Sequence, residues 1–161
     1  MNLVPLTQPV SGRAVYSLAD QAFEFVPTDP GEVAARRGSS ASLALDTVLI
    51  EVGMPNGILL YVWGYSPRSS WLSVPGRPEG AIDGVVMVDE PALGPSGSVS
   101  IRRDRSDPAE VWWTQFDPES GWCRITRGGA DGRLTRIATD TVIGTDDTGI
   151  TSMWLKPTFV R

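Results

Sequence analysis

The sequence predicts a mainly β fold, an antiparallel β-barrel or β-sandwich of about nine to eleven short strands with one short helix, and three observations carry that prediction. The stretch TVLIEVGMPNGILLYVWGY (47–65) sets two runs of β-branched, aliphatic and aromatic residues on either side of Asn56-Gly57, a pair that tolerates the positive φ of a tight hairpin turn. Residues 111–116 and 122–127 repeat the pattern around Asp117-Pro118-Glu119-Ser120-Gly121. The chain also carries 17 glycines and 13 prolines, which suit many tight connections better than long helices. Its 161 residues are enough for one domain with a sizeable core, so residues 1–161 are expected to form a single β-rich unit.

Taken in order, residues 1–13 read as an extended lead-in, kept out of helix by Pro5 and Pro9. Residues 14–17 and 22–26 read as two strands, with a helical turn between them left open by the capping-box spacing of Ser17 and Asp20. The helix is predicted over Pro30–Arg37. Asp29 caps it, Pro30 suits its first position, Glu32 completes an Asp-x-x-Glu pattern, and Arg36 and Arg37 face the negative end of its dipole before Gly38 stops it. Residues 38–40 read as a linker into the long hairpin, 71–74 as a short strand, 75–80 as a rigid turn, 82–89 as a strand with a bulge at Gly84, and 98–102 as a short alternating strand.

In the second hairpin, opposing Phe116 to Trp122 would place Trp112, Thr114, Phe116, Trp122, Arg124 and Thr126 on one face. Residues 128–132 turn the chain into three more strands over 134–138, 141–143 and 150–155. The segments from Asp46-Thr47-Val48 to Trp63 and from Asp140-Thr141-Val142 to Trp154 look alike, but their internal spacings differ by about two residues. Shared hairpin grammar explains that likeness more simply than a duplication does.

Composition narrows the chemistry. The chain has no histidine, so histidine triads and imidazole metal sites are excluded, and its single cysteine, Cys123, excludes an intrachain disulfide and a thiolate metal site. The sequence therefore predicts no bound metal or cofactor. A net charge of -5 argues against a nucleic-acid partner, because neutralising phosphate needs a surplus of basic residues. No apolar run reaches the ~20 residues of a membrane span and no leader is evident at the N-terminus, so a cytoplasmic protein with no membrane partner is expected.

Six tryptophans are the clearest anomaly. Most tryptophans of a small β fold fill its core. Neighbours on a strand point to opposite faces, however, so one of Trp112 and Trp113 is expected at a surface that meets a partner or ligand. With Trp63 and Trp154 these form the candidate binding set. The expected function is a non-enzymatic protein-interaction domain, either an acidic inhibitor or immunity-type partner of a basic protein or a subunit of a larger assembly, with self-association included. The alternatives are a small barrel holding an apolar or aromatic molecule among Trp63, Trp113 and Trp154, and a carboxylate-only hydrolase drawing on Glu51, Asp83 and Glu110. Two further clusters, the arginines 102, 103 and 105 and the acids Asp131, Asp140, Asp146 and Asp147, read as solvated loops.

Overall fold

The long hairpin forms as its residues dictate: β4 (Val48–Met54) and β5 (Ile58–Tyr65) run antiparallel, and Gly57 takes a φ of 71° at the turn. The computed structural model describes residues 8–37, 39–54, 56–88, 98–101 and 111–161, and among these fourteen strands form two seven-stranded sheets, accompanied by one α-helix. One cluster of buried side chains draws on both sheets, with Tyr16, Phe23, Ile50 and Leu59 from one and Ile125, Ile143 and Met153 from the other. Neither sheet closes into a barrel. No helix among the described residues is long and apolar enough to cross a membrane.

The first sheet has β1 (Gly12–Ser17), β2 (Ala22–Pro27), β5, β4 and β3 (Ser39–Leu45) as its central five strands, in that spatial order. The second repeats the plan with β9 (Trp113–Phe116), β10 (Cys123–Thr126), β13 (Gly149–Leu155), β12 (Thr141–Asp146) and β11 (Arg133–Ala138). These central pairings are antiparallel, as expected, but each sheet is edged by parallel strands. β14 (Thr158–Val160) lies beside β1, β8 (Ser98–Ile101) beside β3, β6 (Leu72–Ser73) beside β9 and β7 (Ile82–Asp83) beside β11. β6 follows β5 in sequence yet joins the second sheet, and β14 follows β13 yet joins the first. Each half therefore gives its next strand to the other.

The two halves share a plan, although the Asp-Thr-Val likeness in the sequence is one residue out of register. Asp46 and Thr47 form the loop closed by Leu45 and Val48, whereas Thr139 and Asp140 form the one closed by Ala138 and Thr141. The tryptophans do correspond: Trp63 pairs with Leu49 and Trp154 with Val142, each just past a bulge in its hairpin. The turns after β1 and β9 also match. Ser17 and Asp20 hydrogen-bond in one, Asp117 and Ser120 in the other with the two residue types exchanged, and Gln21 (φ 53°) and Gly121 (φ 82°) take the left-handed position. The Ser17-Asp20 spacing thus builds a hairpin turn rather than a helix.

The helix α1 (Pro30–Arg37) starts where its caps place it. Asp29 Oδ1 accepts from the N–H groups of Gly31 (2.9 Å) and Glu32 (3.3 Å), Arg36 pairs with Glu32 at 2.7 Å, and Val33 is buried against β4 and the core. It carries the chain from β2 to β3 across the first sheet. In the second sheet the same crossing is made by residues 127–132, and there Gly144 leaves room for the carbonyl of Asp131, which accepts a 2.5 Å hydrogen bond from Thr151 Oγ1.

Four expectations are corrected. Of the strand expected over 82–89, only Ile82–Asp83 pairs as β7, residues 84–88 leave the second sheet, and Asp89 lies outside the described residues. Ser39 and Ser40, expected in a linker over 38–40, begin strand β3 (Ser39–Leu45), while Gly38 lies outside the described residues. Phe116 opposes Cys123, not Trp122, so the faces of β10 are exchanged: Thr114, Phe116, Cys123 and Ile125 share one face, and Gln115 and Arg124 the other. A one-residue shift suffices because side chains alternate with period two, and the shift follows from the turn, where the Asp117 N–H closes on the Trp122 carbonyl at 2.9 Å. Residues 75–80 are not a compact turn. They belong to a strap between β6 and β7, which sit at opposite edges of the second sheet.

The strap crosses six interstrand steps, about 29 Å, with the eight residues 74–81, and it turns at its far end, where the Glu79 N–H donates to the Arg77 carbonyl at 2.9 Å and Gly80 takes φ 77°. Gly76 crosses the indole of Trp154, to which a Cβ at that position would stand 3.2 Å away. Beneath the strap runs a row of paired residues, Gln115, Arg124, Trp154, Val142, Arg136 and Asp83. Within it the Arg124 guanidinium lies 5.6 Å from the Trp154 ring centroid and Arg136 pairs with Asp83 at 2.6 Å.

Asp117 anchors the strap. Its Oδ2 accepts from Ser120 Oγ (2.7 Å) and the Gly76 N–H (3.1 Å), its Oδ1 from the Glu119 N–H (2.9 Å), and these bonds, the Ser120 hydroxyl first, lower its carboxyl from 3.8 to about 2. A carboxyl lowered on folding contributes stability that is complete above its unfolded value and lost as pH falls through its folded one. The urea midpoint of the wild type is thus expected to exceed that of Asp117→Asn by a constant margin above pH about 4, and the margin is expected to close as pH falls towards 2. A margin independent of pH would show that the ionised carboxylate is not what holds the strap.

Candidate functional site

An exposed aromatic patch lies where β5 approaches β9. Trp63 and Tyr65 are two residues apart on β5 and are 36% and 52% exposed; Trp113, at the start of β9, is 42% exposed. Tyr65 links them, because it lines with Trp112 and Trp113 a cleft of about 510 Å³ between the β3–β4 turn and β9. The cleft floor is apolar, with Leu45, Val48 and Ile125, and Asp46 stands at its rim.

Each aromatic is positioned by its backbone or by a polar partner. The Trp63 indole N–H donates to Glu51 Oε2 at 3.2 Å, and the Ser42 hydroxyl reaches the same oxygen at 3.5 Å. Thr47 Oγ1 donates to the Tyr65 carbonyl at 2.6 Å, tying the β3–β4 turn to the end of β5. Between Trp63 and Tyr65, Gly64 takes φ 123° and passes 2.8 Å from the Thr47 carbonyl, measured to where a Cβ would stand. Behind the cleft, Ser66 and Thr114 share a hydroxyl contact of 3.1 Å, and Ser66 also receives the Trp71 indole N–H at 2.9 Å and, on its carbonyl, the Tyr16 hydroxyl at 2.7 Å. Burial pushes the Tyr16 hydroxyl above its ordinary pKa and the Cys123 thiol up to about 12, so both are carried neutral and Cys123 is a core residue.

The four tryptophans singled out in the sequence separate. Trp112 is 7% exposed and belongs to the core cluster while still lining the cleft, and Trp113 is its exposed neighbour, as alternation requires. Trp63 lies further along the patch. Trp154, 6% exposed, is roofed by the strap in the other sheet, so Trp63, Trp113 and Trp154 do not surround a common interior. Tyr65 was not among the sequence candidates. Its signal was present in the alternation of Tyr61, Trp63 and Tyr65 along one strand, which exceeds what one sheet face needs for its core.

The carboxylates also separate. Glu51 is on β4 in the first sheet, Asp83 is on β7 in the second and engaged by Arg136, which holds its carboxyl below the usual range, and Glu110 lies outside the described residues. Asp131 pairs with Arg124 at 2.9 Å, and Asp146 accepts from the Thr148 hydroxyl and N–H, which lower its carboxyl. Among the described residues no three acids or cysteines gather as a metal site. The arginines 102, 103 and 105 lie outside the described residues. No protein-family model matches the chain, and no curated protein sequence matches it significantly.

Proposed function

We propose that this chain is a protein-interaction domain that meets a basic partner through the patch of Trp63, Tyr65 and Trp113. The observation that carries the reading is the joint exposure of three large aromatics on one stretch of surface, two of them set by hydrogen bonds that involve the β3–β4 region. Exposed aromatics held in place lose little conformational entropy on binding and serve as anchors. Asp46, exposed at the cleft rim, suits a partner that presents arginine or lysine, which can stack on an indole while facing an acid; Glu51 is buried and serves to hold Trp63. The net charge of -5 adds long-range attraction for such a partner.

The test compares the wild type with Trp113→Ala/Tyr65→Ala, both confirmed folded by circular dichroism, in affinity capture from the native lysate followed by native mass spectrometry. A basic protein retained by the wild type and bound about 30-fold more weakly by the variant is the expected result. Retention of the same proteins by both, with the chain remaining a monomer, overturns the reading. A wild-type homodimer that the variant loses replaces the basic partner by self-association on the same patch.

A further inference from the structure

A second cavity, of about 630 Å³, lies on the other side of β3, where the facing edges of the two sheets diverge. Leu43 and Leu45 of β3 form one wall, Thr135 of β11 and Ile150 of β13 the other, and residues 84–88 cross between the sheets as a third. That crossing segment is pinned along its length. Gly84 N–H donates to the Arg136 carbonyl (3.2 Å), Leu59 N–H to the Val86 carbonyl (2.9 Å) and Val88 N–H to the Gly57 carbonyl (2.9 Å). The cavity is therefore formed by hydrogen-bonded backbone before any ligand arrives, and its volume falls in the range of small-molecule sites.

Its lining combines Leu43, Leu45, Val86 and Ile150 with the hydroxyls of Thr135 and Thr145, and carries charged residues. Asp83 and Asp146 already face arginines of their own, Asp83 on Arg136 and Asp146 3.8 Å from Arg127. Arg133, at the start of β11, lines the same cavity, is exposed, and among the described residues has no acidic partner. A guanidinium beside the aliphatic wall of Leu43, Leu45 and Val86 complements an anionic head on an apolar body, and a carboxylate matches its planar fork.

We propose that this cavity binds an organic monocarboxylate with an apolar body, the carboxylate on Arg133 and the hydrocarbon against Leu43, Leu45 and Val86. The site shares Leu45 with the floor of the aromatic cleft but none of Trp63, Tyr65 and Trp113, and the proposal does not depend on what that patch meets.

The test titrates 4-phenylbutyrate and its uncharged amide into the whole protein by calorimetry. Saturable one-to-one binding of the acid is expected, weakened about tenfold by Arg133→Gln, with the amide bound weakly and equally by both proteins. Ile82→Trp, at a cavity-lining position that is 52% exposed and tolerates bulk, is expected to abolish binding of both compounds. Absence of saturable binding, or binding that neither variant changes, overturns the proposal. Loss with Ile82→Trp alone keeps a ligand cavity but overturns the carboxylate assignment.

Discussion

Tyr16→Ala is expected to destabilise the protein by about 4 kcal/mol, the cost of emptying a fully buried aromatic site. Tyr16 has no exposed surface and its ring stands 5.1 Å from Phe23, 4.7 Å from Trp71 and 5.6 Å from Phe159. Phe116 joins the group through Trp71 and Phe159, each at 5.6 Å. These rings come from β1, β2, β9, β14 and the segment before β6, so a single deletion loosens the junction where both halves meet. Tyr16→Phe is expected to cost less, about 1–2 kcal/mol, because it leaves the Ser66 carbonyl without its buried donor but keeps the ring. Urea midpoints at constant slope measure both. A loss below about 1.5 kcal/mol for the alanine variant would show that the cluster repacks and does not fasten the halves.

Gly144→Ala is expected to cost about 2–3 kcal/mol, although alanine is harmless at most strand positions. Gly144 is a strand residue with a full set of neighbours. A Cβ there would stand 2.8 Å from both the Asp131 carbonyl and Thr151 Oγ1 and closer still to Ser152 Oγ. The crossing segment 127–132 must rise from the sheet or the Thr151–Asp131 hydrogen bond must break. Ser152 Oγ is buried and among the described residues has no hydrogen-bond partner, so Ser152→Ala alone is expected to be nearly neutral. Combining it with Gly144→Ala is expected to restore part of the loss, a coupling that a double-mutant cycle reads directly. Strict additivity would mean that the hydroxyl is not the obstacle.

What the sequence reveals of this fold is the local part. The hairpin around Asn56-Gly57, the helix capped by Asp29 and the strands flanking Ser17 to Gln21 follow from propensity and turn chemistry, and they lie where those rules put them. β3 escaped notice because Ser39, Ser40, Ala41, Ser42 and Ala44 have little preference for strands; its pairing with β4, Leu43 against Ile50, makes it one. Its inward residues Ala41, Leu43 and Leu45 do alternate, so the clue was there but faint. The register of β10 depended on how a six-residue turn closes, which composition does not specify. The strap was hidden because proline and glycine mark a tight turn and an extended crossing alike. At the candidate site, the exposure of Trp113 was legible from adjacency alone, whereas the separate fates of Trp63 and Trp154 were not: they occupy equivalent strand positions, and only the strap over one of them tells them apart.

The reciprocal placement of β6 and β14 bears on how the chain reaches this structure. Neither sheet can acquire its full set of edges until the other half has been made, and the bond from the Gly12 N–H to Thr139 Oγ1 joins positions 127 residues apart. Such distant closures lose chain entropy before any contact compensates, which places the chain among slow folders. While synthesis is under way, β1 waits with an open hydrogen-bonding edge for a strand 143 residues further along the chain, the separation of the paired Val15 and Thr158. A nascent chain in that condition is the form of this protein most exposed to aggregation.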